Sequence, residues 1–143
     1  YINDFQLNVM GAVKCINASL KNLKAGNGSV VLFSTVAVQQ GMAFHASVAA
    51  SKGALEGLTR SLAAEFAPSV RVNCIAPSLT ETPLTEALLS NERKREASEQ
   101  RHPLKRVGKP EDIASMAVHL MSENASWMSG QVISIDGGMS RLR

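Results

Sequence analysis

Ser29-Val30-Val31-Leu32-Phe33-Ser34-Thr35 is a short apolar run without polar alternation. A strand with one wet face alternates, so an unbroken run suits a strand covered on both faces, as in a parallel sheet. The flanks set the architecture. Upstream, Phe5, Val9, Val13, Ile16, Leu20 and Leu23 recur at helical spacing, and the segment from Phe5 to Leu23 is expected to be a helix with one apolar stripe. Gly26-Asn27-Gly28 ends it, as glycine does just past a helix C-terminus. Downstream, His45 to Phe66 is a second predicted helix, with Leu55, Leu58, Leu62 and Phe66 as its bulky face. Ala49, Gly53 and Gly57 form a second stripe of small residues on it. A glycine inside a helix costs roughly 1 kcal/mol, so two on one face predict a closely approaching neighbour backbone.

The alternation continues to the end of the chain. Pro68 stops the second helix, and Val70 to Ala76 reads as another strand closed by Pro77. Thr82 to about Ala97 is expected to be one helix with Leu84, Leu88 and Leu89 apolar. Pro110-Glu111-Asp112 opens a further helix, because proline suits a first turn and acids suit its positive end. Ile113, Met116, Ala117, Leu120 and Met121 are its expected buried face, and Gln131 to Ile135 is a last strand before Asp136-Gly137-Gly138. The order α-β-α-β-α-α-β predicts an α/β fold: a parallel sheet of three strands with flanking helices. A sheet that thin leaves strand 29–35 with an open hydrophobic edge, a pairing hazard. The chain is therefore expected to be one partial domain over 1–143, the latter part of a larger doubly wound unit, or to pair through that edge with another chain.

Composition narrows the function classes. The chain has 143 residues, 45% hydrophobic and 19% charged, with a formal net charge of +3. That is an ordinary globular balance, neither disordered nor collagen-like. Two cysteines, Cys15 and Cys74, give no disulfide scaffold and no metal-ligand spacing, which fits a reducing, cytoplasmic setting. No stretch approaches the ~18 apolar residues of a membrane span, and the N-terminus has no basic leader and no Met. Asn91 to Lys109 is locally basic, but Glu92, Glu96 and Glu99 interleave and aromatics are absent. This reads as a solvated helix, with an anionic-ligand patch as the alternative and nucleic acid disfavoured.

Four segments in order carry a resemblance: Gly28 to Thr35, Ala50-Ser51-Lys52-Gly53-Ala54-Leu55, Arg71-Val72-Asn73-Cys74-Ile75-Ala76-Pro77, and Gly130-Gln131 with Ile135-Asp136-Gly137-Gly138. Together they resemble the C-terminal half of the short-chain dehydrogenase/reductase family, over nearly the whole chain. The resemblance implies a Rossmann-like sheet, NAD or NADP as cofactor, and a small carbonyl or alcohol substrate. It also implies a homodimer or homotetramer through the helices at 5–23 and 45–66. The G-x-G-x-x-G turn that cradles a pyrophosphate is not in this stretch: Gly26-Asn27-Gly28 begins such a pattern, but Val31 stands in place of its third glycine and a strand follows instead of preceding it. No cofactor is therefore expected to bind this chain by itself.

The family's active site resembles an acid–base relay of asparagine, serine, tyrosine and lysine. Asn8 in Leu7-Asn8-Val9-Met10-Gly11 matches the asparagine, and Lys52 matches the lysine that binds the nicotinamide ribose. The tyrosine four residues before that lysine is Val48 here, and the serine thirteen before the tyrosine is Thr35. Threonine keeps the hydroxyl. Valine has no proton to give, and losing a general acid typically costs ~10²–10⁴-fold in rate. His45 is one helical turn from Val48 and is either a replacement acid or a capping or surface histidine. Pro77, Thr80 and Thr82 resemble the segment at the nicotinamide end of the cofactor; Ser78 replaces the glycine usual after the proline, and for both threonines helix capping is the other reading. Residues 83–106 resemble the substrate lid. His102 and His119 are read as surface or packing residues, and Trp127 and Met128 as core or interface. Two functions stand: an NAD(P)-dependent oxidoreductase, as a fragment or degenerate member inactive by itself, or a non-catalytic oligomerisation domain built on the same fold.

Overall fold

The structure, a computed structural model, describes residues 1–142. Three parallel strands, β1 (Ser29–Phe33), β2 (Arg71–Pro77) and β3 (Val132–Ile135), lie in the order β1-β2-β3. Leu32 faces Cys74 across the first pairing, and Ile75 faces Ile133 across the second. The helices are α1 (Ile2–Asp4), α2 (Gly11–Ala25), α3 (Ala46–Phe66), α4 (Glu92–Gln100) and α5 (Pro110–Met121). This is the α/β order expected, and it gives a Rossmann-like parallel sheet with helices on both faces.

Period-two alternation of β2 divides the core. Val72 and Cys74 pack on the α2–α3 side with Ile16, Leu32, Leu55 and Phe66. Ile75 points to the other face and packs with Ala117, Leu120 and Ala125. Five consecutive residues of β2, Val72 to Ala76, are buried because neighbours cover it on both edges and both faces. Buried Asn73 pairs both ends of its amide across one turn: Nδ2 donates to the Met128 carbonyl at 2.8 Å and Oδ1 accepts the Gln131 N–H at 3.0 Å.

Several local expectations are corrected. Strand β1 is shorter than 29–35, and only Leu32 in it is buried; Phe33 is 42% exposed, since β1 is an edge strand. The first helix is continuous in path but has π-type hydrogen bonding over Phe5–Met10. That extra residue breaks the 3.6-residue stripe, so Ile16 is buried while Phe5 stays exposed. The single helix expected over 82–97 is two pieces, a 3₁₀ turn at Pro83–Leu89 and then α4. Asn91 divides them: its extended backbone cannot continue a helix, and its side chain accepts the Lys94 N–H to start a new one. The small-residue stripe meets no backbone: an added Cβ at Gly53 would touch only Val38 Cγ1 at 3.5 Å, and one at Gly57 nothing within 4 Å. Met121 is exposed, and Trp127 is fully exposed rather than in the core, although Met128 does pack on the α5 side. Of the two readings of His102, surface or packing, the structure gives packing, since it is buried.

Candidate active site at the carboxyl edge of the sheet

Parallel strands end on the same side, so the carboxyl ends of β1 and β2 bring together residues that the sequence separates. This is where open α/β sheets bind ligands. Thr35 follows β1, with its hydroxyl accepting the Ala37 N–H at 3.3 Å and so capping the 3₁₀ turn at Val36–Val38. Its hydroxyl proton is not used in that bond. Lys52 reaches the same point from α3, where Nζ donates to the Phe33 carbonyl at 2.8 Å. Burial lowers its pKa, and the charge interaction with Cys74 opposes that shift weakly.

Val48 precedes Lys52 by one turn of an uninterrupted α-helix, so the two side chains share a face. The side chain that shares the Lys52 face is thus a hydrocarbon. Asn8 is fastened to the same helix: Nδ2 donates to Ser51 Oγ at 3.2 Å, and that hydroxyl donates to the Val48 carbonyl at 3.1 Å. The π-type segment around Asn8 packs against α3, which is what lets the amide reach it. Ser47 is bonded to Asp4 across the same contact. His45 occupies the N-cap position of α3 but caps nothing with its side chain; Nδ1 bonds locally to the Ala43 carbonyl at 2.7 Å. The structure does not join it by any hydrogen bond to Asn8, Thr35 or Lys52.

At the end of β2, Pro77 is the last strand residue. Thr80 donates its hydroxyl to the Ser78 carbonyl at 3.0 Å and pairs in a bridge with Gly108. Thr82 opens the 3₁₀ turn at Pro83–Leu89, and its N–H donates to Thr85 Oγ1 at 3.0 Å. The capping reading of Thr82 therefore has direct geometric support, and Thr80 serves the same loop.

Three participants were not singled out from sequence. Ser51 is buried and anchors Asn8; it sits beside Lys52, and its neighbour's motif is the only signal for it. Glu56 is buried four residues after Lys52 and accepts the Ser34 hydroxyl at 2.7 Å. A carboxylate on a helix face directed at an apolar strand is the signal that could have found it. Cys74, beneath them on β2, is a thiol that burial pushes up to about 11, so it stays protonated and inert at neutral pH. Among the described residues, no group of three or more His, Cys, Asp or Glu is placed to hold a metal ion, and no helix is long and apolar enough to cross a membrane.

A three-stranded parallel sheet with helices on both faces defines the class: a Rossmann-like α/β fold. Residues 2–140 match the family model described as enoyl-(acyl carrier protein) reductase, and the chain belongs to that family of short-chain dehydrogenases/reductases. It is 43% identical over 118 residues to a 3-oxoacyl-[acyl-carrier-protein] reductase of Thermotoga maritima, covering 82% of this chain and 47% of that protein. It is 38% identical over 139 residues to tropinone reductase-like 3 of Erythroxylum coca, covering 96% of this chain and 54% of that protein. Among solved structures, a short-chain type dehydrogenase/reductase from Mycobacterium ulcerans superposes with a TM-score of 0.89 at 33% identity, over 97% of this chain and 51% of that one. ElxO with NADP bound gives 0.85 at 27% identity, over 92% and 54%. The chain thus spans about half the length of the curated relatives it matches.

Proposed function

We propose that this chain is the nicotinamide-and-substrate side of an NAD(P)-dependent oxidoreductase acting on a small carbonyl or secondary alcohol, with proton transfer impaired at Val48. The observation that carries the reading is the shared face of Val48 and Lys52 over the end of β1, with Thr35 beside them. The donor set fits a nicotinamide ribose. Lys52 spends one N–H on the Phe33 carbonyl and keeps two for a diol, as an ammonium has three donors. When bound, the cofactor would supply hydride at C4 of its nicotinamide. Thr35 would donate its free hydroxyl proton to the substrate oxygen, and Asn8, held by Ser51, would position water at the α3 end. Pro77, Thr80 and Thr82 would border the nicotinamide end. Relatives named as acyl-carrier-protein and tropinone reductases support a carbonyl as the reacting group. The sheet here represents the C-terminal portion of a Rossmann domain, and the chain by itself binds no nucleotide tightly, because this stretch carries no phosphate turn after a strand.

The test uses this chain together with whatever coding sequence precedes Tyr1. NADH or NADPH at millimolar concentration is expected to raise its Tm. Val48→Tyr is expected to raise carbonyl reduction by ~10²-fold or more. No Tm shift with either nucleotide sinks the reading. It would favour the second one, a non-catalytic oligomerisation domain, which is supported by the exposed apolar residues Ile2, Leu7 and Met10 along the first helix.

A further inference from the structure

Next to the β2 end of the candidate active site, the ends of β2 and β3 border a cavity of about 350 Å³ whose walls include Ser78, His102, Arg106, Asp136 and Gly137. His102 is 2% exposed, yet it makes two strong polar contacts. Its Nδ1 lies 2.8 Å from the Ser98 carbonyl, and its Nε2 lies 2.7 Å from Ser78 Oγ. These contacts settle the tautomer. A carbonyl only accepts, so Nδ1 carries the proton and Nε2 of the neutral ring is a bare acceptor. The Ser78 O–H therefore points its proton at His102 Nε2. Met139 Sδ, 3.0 Å from Ser78 Oγ, is the competing and much weaker acceptor. Asp136 stands in the same wall, its carboxylate fixed by the Gly138 and Ser140 N–H groups at 2.9 and 2.8 Å. Burial pushes the Asp136 carboxyl up, but the Ser140 and Gly138 hydrogen bonds outweigh it and hold the acid below its usual range.

A hydroxyl bonded to an imidazole that a third group orients is the arrangement by which a serine becomes a nucleophile. We infer that Ser78 and His102 form an acyl-accepting dyad that takes small acyl groups from activated esters or thioesters. The step balances without any cofactor. Ser78 Oγ bonds to the acyl carbon while its proton passes to His102 Nε2. The bond from acyl carbon to the leaving alkoxide or thiolate breaks, and the leaving group takes the proton from His102. Water, with His102 as base, then cleaves the acyl-serine to a carboxylic acid. The adjacent Asp136 carboxylate stabilises the imidazolium that exists between the two transfers. A volume of about 350 Å³ lies at the small end of ligand pockets, which restricts the acyl group to a short one. Ser78 lies between Pro77 and Thr80 on the proposed nicotinamide border, but the dyad uses none of Asn8, Thr35 and Lys52 and needs no nucleotide.

The probe is p-nitrophenyl acetate, applied to the same purified protein as the nucleotide test. The expected result is a burst of p-nitrophenol with one acetyl group located on Ser78 by peptide mass spectrometry. Ser78→Ala should abolish that acetyl group. His102→Gln should slow its formation about 100-fold. Ser115→Ala, on the cavity wall but outside the dyad, should leave it unchanged. Circular dichroism establishes that each variant is folded, and Ser78→Ala carries the test if His102→Gln is not. Acetylation confined to lysines, or a burst unchanged in Ser78→Ala, overturns the proposal and reduces the pair to a structural latch between the loop after β2 and the end of α4.

Discussion

At the end of β1 the polar groups come from two neighbouring helices and bond chiefly to backbone or to one another: Lys52 to the Phe33 carbonyl, Asn8 to Ser51, Ser51 to the Val48 carbonyl. At the ends of β2 and β3 they come from segments far apart in the chain, and Ser78 meets His102 across 24 residues. In the first cluster Asn8, Thr35 and Lys52 are each half-buried. The second surrounds one buried imidazole whose two ring nitrogens are both partnered, and Ser78 beside it borders a cavity. The first carries the hydrocarbon of Val48 on the face of its lysine, whereas the second has a donor and an acceptor already paired. Burial decides the difference: a buried polar group must find a partner within the fold, while a half-exposed one is free to wait for a ligand.

The comparison breaks most readily at His102. His102→Leu leaves the Ser98 carbonyl and the Ser78 hydroxyl without their partner. Each buried group so orphaned costs about 1–3 kcal/mol, so a loss of about 2–4 kcal/mol and a Tm lower by roughly 10 °C are expected. A thermal melt showing a drop under about 3 °C would mean that the second cluster contributes as little to the fold as a surface contact.

A smaller effect sharpens the description of the first cluster. Burial lowers the Lys52 pKa, so its amine should lose its proton below the ordinary lysine range. Competitive acetylation read by mass spectrometry across pH 7–11 should show Lys52 reacting at a midpoint below that range. Because the native amine gives up its proton before the unfolded one, this group contributes stability that rises with pH through that interval toward ~10.4. A midpoint within or above the ordinary lysine range would remove the desolvated ammonium from the proposed ribose site.

The smallest effect lies on the solvent side of the second cluster. Arg106 grips Asp112 with two bonds, at 2.6 and 3.0 Å, and the Lys109 N–H adds a third at 2.7 Å. Those partners hold the Asp112 carboxyl at about 2. The unfolded group titrates near ~3.9, so its stabilising contribution is complete above that pH and fades as the pH falls through 2. Asp112→Asn should flatten the acid limb of Tm against pH between about 4 and 2 while lowering Tm only slightly at pH 7. An unchanged acid limb would place the acid sensitivity elsewhere, with Asp136 the next residue to test.

Much of the fold was legible because helix and strand periodicities are local. The apolar run at Ser29 to Phe33, the leucine face of α3 and the proline-acid start of α5 all announce themselves within a few residues. Asn8, Thr35 and Lys52 were legible for a related reason, since each sits in a short motif. Other features were not. The break at Asn91 depends on one cap outweighing a continuous helical pattern, and the π-type segment depends on packing of the first helix against α3.

By itself, the sequence determined the order of elements, the parallel strands that this order requires, and the placing of Val48 on the Lys52 face, which follows from 3.6 residues per turn. The tertiary structure alone decided that Glu56 lies under Ser34, that Trp127 stands in solvent, and that Ser78 and His102 meet at a cavity wall. Those outcomes depend on which distant segments the packed sheet brings within hydrogen-bond reach, and no local pattern encodes such distances.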